Sequence, residues 1–247
     1  MDYILVTGAS SGLGREIAIS LSMHYPVILC GRNEERLEKT KAECKNQAMI
    51  WRYDLSKIHT IESDLISWIK TNDVTISSFV HCAAFMKMLP LRSVNPSVLE
   101  EAYSTNVFAP ELITKTLASK RVNGTNLKSV VFISSNISNR GATAFSVYGS
   151  SKSALDGVMR NLSVELAPKV RVNSILPGGM ITEMTKDMFE DDALMKAFEK
   201  NNPLGIGSPA EIVPAVEFLL SERSKWITGQ QITIDGGRTI DITERSK

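Results

Sequence analysis

The 247 residues hold 28 Lys and Arg against 27 Asp and Glu, a net charge of +1. That balance gives no broad positive field to recruit nucleic acid or an anionic membrane. No apolar run reaches the roughly 18 residues a membrane span needs, and the scattered cysteines and histidines offer neither a disulfide framework nor metal-ligand spacing.

The chain opens on the apolar, β-prone run Tyr3-Ile4-Leu5-Val6, then turns through Thr7-Gly8-Ala9-Ser10-Ser11-Gly12-Leu13-Gly14. A helical pattern follows at once, with Ile17, Ala18 and Leu21 on one face. Strand, glycine turn, helix is the context of a phosphate site, because glycines let the backbone approach and a helix N-terminus offers unpaired N–H groups. The spacing is G-x-x-x-G-x-G rather than G-x-G-x-x-G, and a merely tight turn between strand and helix is the alternative. A second strand, Val27-Ile28-Leu29-Cys30, ends in Gly31-Arg32-Asn33. Dinucleotide folds usually place an acid here for the ribose 2′-hydroxyl, or an Arg where a 2′-phosphate must be held. The acid is missing and Arg32 is present, with Arg15 as a second cation, so NADP(H) is expected over NAD(H).

Apolar runs recur near 3–7, 26–30, 48–53, 77–82, 128–134, 169–175 and 230–234, separated by helical patterns such as Asn33 to Lys45 and Ser151 to Leu166. Strands alternating with helices predict a parallel sheet of about seven strands covered on both faces. No linker or composition break divides the chain, so one doubly wound, Rossmann-type α/β domain over 1–247 is expected. With Asp2 leading directly into the first strand, no signal peptide is expected. Cys30, Cys44 and Cys82 read as reduced small hydrophobes in a cytoplasmic protein.

The chemistry gathers around Tyr148-Gly149-Ser150-Ser151-Lys152. Tyr and Lys four apart share a helix face, and a neighbouring cation favours the phenolate, bringing a pKa of roughly 10 toward the working range. Ser135 closes the apolar strand Val130-Val131-Phe132-Ile133, and Asn106 precedes it. Each residue alone has an ordinary reading, as a cap, a turn residue or a solvated charge.

Read in order, these motifs resemble the short-chain dehydrogenase/reductase superfamily nearly end to end. Thr7 to Gly14 is similar to its T-G-x-x-x-G-x-G turn, and Asp54-Leu55 to its adenine-contacting acid. Asn106, Ser135, Tyr148 and Lys152 match its catalytic tetrad, Pro177-Gly178-Gly179-Met180-Ile181-Thr182 its P-G-x-x-x-T segment, and Asp235-Gly236-Gly237 its closing turn. The resemblance implies hydride transfer between a nicotinamide and a carbonyl or secondary alcohol. Tyr148 would be the general acid/base, Ser135 the partner of the substrate oxygen, and Lys152 the tuner of the phenol and holder of the ribose. Asn106 would hold a water linking Lys152 to solvent. The cofactor would lie along Gly8, Ser10, Ser11, Gly12, Leu13, Gly14, Arg32, Asp54, Leu55, Cys82, Ala83, Ala84, Tyr148, Lys152, Pro177, Gly178, Met180 and Thr182, with the Met180 backbone and Thr182 on the carboxamide. One departure stands out: the family's N-N-A-G after the fourth strand is His81-Cys82-Ala83-Ala84 here.

Residues 183–204 correspond to the family's variable substrate lid. Met180, Met184 and Met188, with Phe189, Met195 and Phe198, read either as core or as an apolar lid joined by Phe85, Met86 and Met88. Glu190-Asp191-Asp192 reads as a solvated helix start, while Asn136, Ser138 and Asn139 offer hydrogen bonds. The resemblance leaves open an NADP(H)-dependent carbonyl reductase, a β-ketoacyl-acyl-carrier-protein reductase docking its acidic carrier on Lys120, Arg121, Lys169 and Arg171, and a non-catalytic binding protein on the same fold. It also implies a homodimer or homotetramer built through the helices carrying Asn106 and Tyr148, which compete with the sheet for the apolar face Ala154, Leu155, Val158, Leu162 and Leu166.

Overall fold

The computed structural model describes residues 2–185, 195–196 and 202–240. Its centre is a 7-stranded parallel sheet in the order β3-β2-β1-β4-β5-β6-β7. The strands are β1 (Asp2–Thr7), β2 (Val27–Gly31), β3 (Ala48–Arg52), β4 (Thr75–His81), β5 (Ser129–Ile133), β6 (Arg171–Pro177) and β7 (Gln231–Ile234). Every expected apolar run became a strand, with ends moved by a residue or two. The sixth runs further than expected, to Pro177, because Pro177 still aligns with Ile234 and Gly178 N donates to the Ile234 carbonyl at 2.9 Å.

Alternation along the strands sorts side chains between two cores. Tyr3, Leu5, Ile28, Cys30, Val130 and Phe132 face one side, where α3 (Ile61–Asn72), α5 (Ala109–Ala118) and α7 (Ser146–Glu165) pack. Ile4, Val6, Val27, Leu29, Val131 and Ile133 face the other, under α1 (Gly12–Leu21), α2 (Glu34–Glu43) and α8 (Pro209–Leu220). Both faces being covered, the strands read as continuous apolar runs instead of alternating ones. Truncating a fully buried member such as Leu5 to Ala would cost about 2–5 kcal/mol.

Helix starts follow local chemistry. Asn33 caps α2 by accepting from Arg36 N at 2.9 Å. Asn95 caps α4 (Pro96–Tyr103) by accepting from Val98 N at 3.1 Å, with proline in the first turn, where no N–H is missed. Glu211 accepts from Ser208 N at 2.6 Å at the head of α8. Between α4 and α5 lies a π-helical turn, Ser104–Phe108, that carries Asn106 and leaves no trace in the residue pattern. The short α6 (Lys120–Asn123) follows α5. Helix α7 starts five residues before the expected Ser151. Its first turn contains Gly149, whose missing side chain lets Ile137 pack closely; a Cβ there would lie 3.1 Å from Ile137 Cγ2.

Candidate active site

The strand order reverses between β1 and β4, and in open parallel sheets ligands sit in the crevice at that reversal, beyond the carboxyl ends of the strands. The turn after β1 and the segment after β4 touch there. A Cβ on Gly8, whose φ is +71°, would lie 2.7 Å from Ala83 N, and one on Gly14 would collide with the Gly8 carbonyl. The Thr40 hydroxyl, donating to Ala9 O at 2.9 Å, ties the turn to α2. Above this junction opens a cavity of about 640 Å³. Every residue expected at the cofactor lines it: Gly8, Ser10 to Gly14, Arg32, Asp54, Leu55, Cys82 to Ala84, Tyr148, Lys152, Pro177, Gly178, Met180 and Thr182. A groove with two residues no side chain can replace, and a helix N-terminus beyond them, fits a dinucleotide.

Ser135, Tyr148 and Lys152 meet in the same cavity. Ser135 follows β5 and heads a 3-10 turn, Asn136–Asn139, accepting from Ile137 N at 3.3 Å. Tyr148 stands in the first turn of α7, and Lys152 one turn on, 1% exposed, donating to Ile133 O at 2.8 Å. Its Nζ lies 5.8 Å from the Tyr148 ring centre. Burial pulls the Lys152 pKa down to about 8. The expected lowering of the tyrosine is not what this geometry produces. Burial pushes Tyr148 up to about 12, with Ser135 as the hydrogen-bonding neighbour that pulls the other way. Desolvation of the phenolate outweighs the hydrogen bond with Ser135.

Asn106 does not line the cavity. Fully buried in the π turn, it accepts from Phe85 N at 2.8 Å and donates to Phe85 O and to Ser151 Oγ, each at 2.9 Å. Its side chain therefore clamps the segment after β4 to α7, where a water-holding role was expected.

A family model described as Enoyl-(Acyl carrier protein) reductase matches residues 8–239. The chain is 31% identical over 249 residues to "Uncharacterized oxidoreductase YciK" of Escherichia coli, covering 98% of this chain and 94% of the relative. It is likewise 31% identical to L-xylulose reductase of Bos taurus, covering 94% of each. The chain belongs to the short-chain dehydrogenase/reductase superfamily. Among solved structures, 4-hydroxyisoleucine dehydrogenase complexed with NADH superposes with a TM-score of 0.91 at 26% identity, covering 98% of this chain and all of the other. Membership makes the chain an oxidoreductase of the type acting on CH–OH and C=O groups.

Within that superfamily, the departure at His81-Cys82 has a local answer. Thr7 Oγ1 accepts from Cys82 N at 3.2 Å and Ala83 N at 3.4 Å, and lies 2.9 Å from His81 Nδ1. With both N–H groups donating to it, the hydroxyl proton goes to Nδ1, which leaves the imidazole proton on Nε2. His81 is fully buried, and burial holds its pKa well below the ordinary value, so the ring is neutral. Thr7 and His81 thus join the ends of β1 and β4, a pairing 74 residues apart that no local spacing announces.

Other expectations shift. The Thr185 hydroxyl donates to Met180 O and accepts from Thr182 N at 3.0 Å, which fixes the backbone of the segment assigned to the carboxamide. Arg15 pairs with Glu16 and Glu43 and does not line the cavity. The acyl-carrier residues stand at the wrong end: Lys120 and Arg121 form α6 before β5, and Lys169 precedes β6, opposite the cavity. Arg171 is occupied by the Leu219 and Ser221 carbonyls and by Ser224 Oγ.

Phe85, Met86, Met88, Met180 and Met184 line the cavity as the apolar-lid reading expects, and so does Asn136, whereas Ser138 and Asn139 do not. The expected lid residues Met188, Phe189, Glu190, Asp191, Asp192 and Phe198 lie outside the described residues, as does the tail beyond 240. Lining residues that sequence reading missed include Glu101, Thr105, Arg140 and Arg238. Among the described residues no helix is long and apolar enough to cross a membrane, and no His/Cys/Asp/Glu cluster could hold a metal.

Proposed function

We propose that the chain is an NADP(H)-dependent oxidoreductase that moves a hydride between nicotinamide and a carbonyl or secondary alcohol, with Tyr148 as general acid/base. The observation carrying this reading is that Ser135, Tyr148 and Lys152 share one cavity with the glycine turn of β1. Bound there, the nicotinamide supplies or accepts the hydride. The protein's part is placement and the proton. Held protonated by burial, Tyr148 is an acid poised to donate to a developing alkoxide, with Ser135 bonding the same oxygen. With a pKa of about 8, Lys152 carries its charge near neutrality and stabilises the phenolate as the proton leaves. Asn106 fixes the floor on which these groups stand.

NADP(H) is favoured because Arg32 lines the cavity at the end of β2 while Glu34, the next acid along the chain, does not line it and is engaged by Arg52 at 3.1 Å. The 4-hydroxyisoleucine dehydrogenase structure carries NADH, so the choice rests on this chain's own residues. Turnover of a ketone panel is the test. Tyr148→Phe should lower kcat at least about 100-fold while the dinucleotide Kd stays within about threefold, since general acid–base catalysis contributes about 10²–10⁴-fold. Unchanged turnover would remove Tyr148 from the chemistry. Arg32→Ser should raise KM for NADPH about tenfold or more and leave NADH nearly untouched, in line with the worth of a charge-assisted hydrogen bond.

A further inference from the structure

Three arginines line the cavity, Arg32, Arg140 and Arg238. Among the described residues none of the three forms an ion pair with a carboxylate. Arg32 is exposed, and Arg140 and Arg238 are partly buried; a guanidinium without a counter-charge in a binding cavity suits an anionic ligand. Arg32 has a ligand in the reading above, the 2′-phosphate. Arg140 and Arg238 do not. They follow β5 and β7, whereas Arg32 follows β2. Three strand spacings separate β2 from β5, roughly 14 Å, so one phosphate cannot serve both ends.

Arg140 and Arg238 stand on neighbouring turns that both line the cavity. Arg140 Nη1 donates to the Arg238 carbonyl at 3.5 Å. The turn carrying Arg238 is fixed by Asp235, which accepts from Gly237 N at 3.1 Å, Thr239 N at 2.9 Å, the Thr239 hydroxyl, and Asn136 Nδ2 at 3.3 Å. That carboxylate is filled by these donors and does not neutralise the arginines. Arg140 lies five residues after Ser135, directly beyond the 3-10 turn that Ser135 heads. Apolar side chains from the same stretch of chain, Ile137, Ala142 and Phe145, also line the cavity. Glu101, also lining the cavity, repels an anion from its own part of the site and so favours one orientation.

We infer that the substrate is an oxyanion-bearing carbonyl or alcohol, a keto or hydroxy acid or a phosphorylated ketose, anchored through its carboxylate or phosphate by Arg140 and Arg238. This rests on the hydride-transfer reading. In reduction the hydride adds to the carbonyl carbon, the Tyr148 proton goes to its oxygen, and the products are the hydroxy compound and the oxidised dinucleotide.

Matched pairs test it: 4-oxopentanoate against its methyl ester, and dihydroxyacetone phosphate against dihydroxyacetone, each with NADPH and with NADH. The anionic member of one pair should be favoured about 10- to 100-fold in kcat/KM, and which pair shows it separates carboxylate from phosphate. In Arg140→Gln and Arg238→Gln that ratio should collapse toward one through KM, with circular dichroism and dinucleotide affinity as checks on the fold. Equal turnover of neutral and anionic members, or a preference that survives both substitutions, overturns the inference. Calorimetric titration of glutarate against glutaramide, with NADP⁺ present, decides the anion site independently of turnover. Glutarate binding lost in Arg140→Gln with no ketone reduced would keep the anion site and overturn the hydride reading. Equal affinities for the acid and the amide would overturn the site itself.

Discussion

Burying the Lys152 ammonium beside the Ile133 carbonyl brings its pKa from the ordinary 10.5 to about 8, and burial is the largest cause. Opposing it is the Asp156 carboxylate one helical turn away, while burial holds the nearby Cys82 thiol up near 12, so it carries no charge where Lys152 titrates. Two consequences follow at this residue. Between pH 8 and 10.5 the unfolded chain binds more protons here than the folded one, so this group's contribution to stability rises with pH across that window. Below it, the buried charge costs on the order of 3 kcal/mol. Lys152→Met should therefore raise the Tm at pH 7 by a few degrees while abolishing turnover, and the gain should shrink at pH 10; thermal scans at the two pH values check this. In the wild type, kcat/KM for the dinucleotide should break downward above about pH 8 as the cation is lost. Asp156→Asn should move that break to lower pH, and a profile indifferent to Asp156 would show that this carboxylate does not tune the lysine.

At the scale of elements, the site depends on how the ends of β1 and β4 are joined. One hydroxyl, Thr7 Oγ1, serves His81 and two backbone N–H groups of the segment that carries Cys82 and Ala83. Thr7→Val keeps the shape but strands these groups, at a cost of about 1–3 kcal/mol. Urea unfolding should report that loss, and dinucleotide affinity should fall with it because Cys82, Ala83 and Ala84 line the cavity. Thr7→Ser, which keeps the hydroxyl, should restore most of both. The glycine turn and the Tyr148–Lys152 pair were legible in the sequence because each is local, a fixed spacing read against a fixed helix or turn geometry. The Thr7–His81 contact was not, since it spans 74 residues and exists only because β1 and β4 are neighbours. The π turn at Asn106 was hidden for a related reason: a helix that takes in one extra residue keeps an ordinary composition.

For the whole molecule, the apolar face assigned to α7 is divided. Leu155 is in the core, and Val158, Leu162 and Leu166 pack against it, so that stripe belongs mostly to the sheet. What remains outward is Leu99 on α4, Phe108 at the end of the π turn and Val164 on α7, which is 78% exposed. The superfamily resemblance implies assembly through these helices. Size-exclusion chromatography with light scattering should then give two or four times the 27.2 kDa chain mass, and Phe108→Glu with Val164→Glu should lower it. A wild-type protein running at the single-chain mass would rule this assembly out.

Local pattern carried the order of strands and helices, the glycine turn and the spacing of Tyr148 and Lys152, since each depends on residues close along the chain. Only the tertiary structure decided the electrostatics and the polarity of the cavity. Burial turned the expected low tyrosine pKa into a raised one, because desolvation depends on what covers a group and not on its neighbours in sequence. It also brought Arg140 and Arg238, 98 residues apart, to one wall of the cavity, and a charge pair made by two turns at the ends of different strands has no signature until the strands are placed.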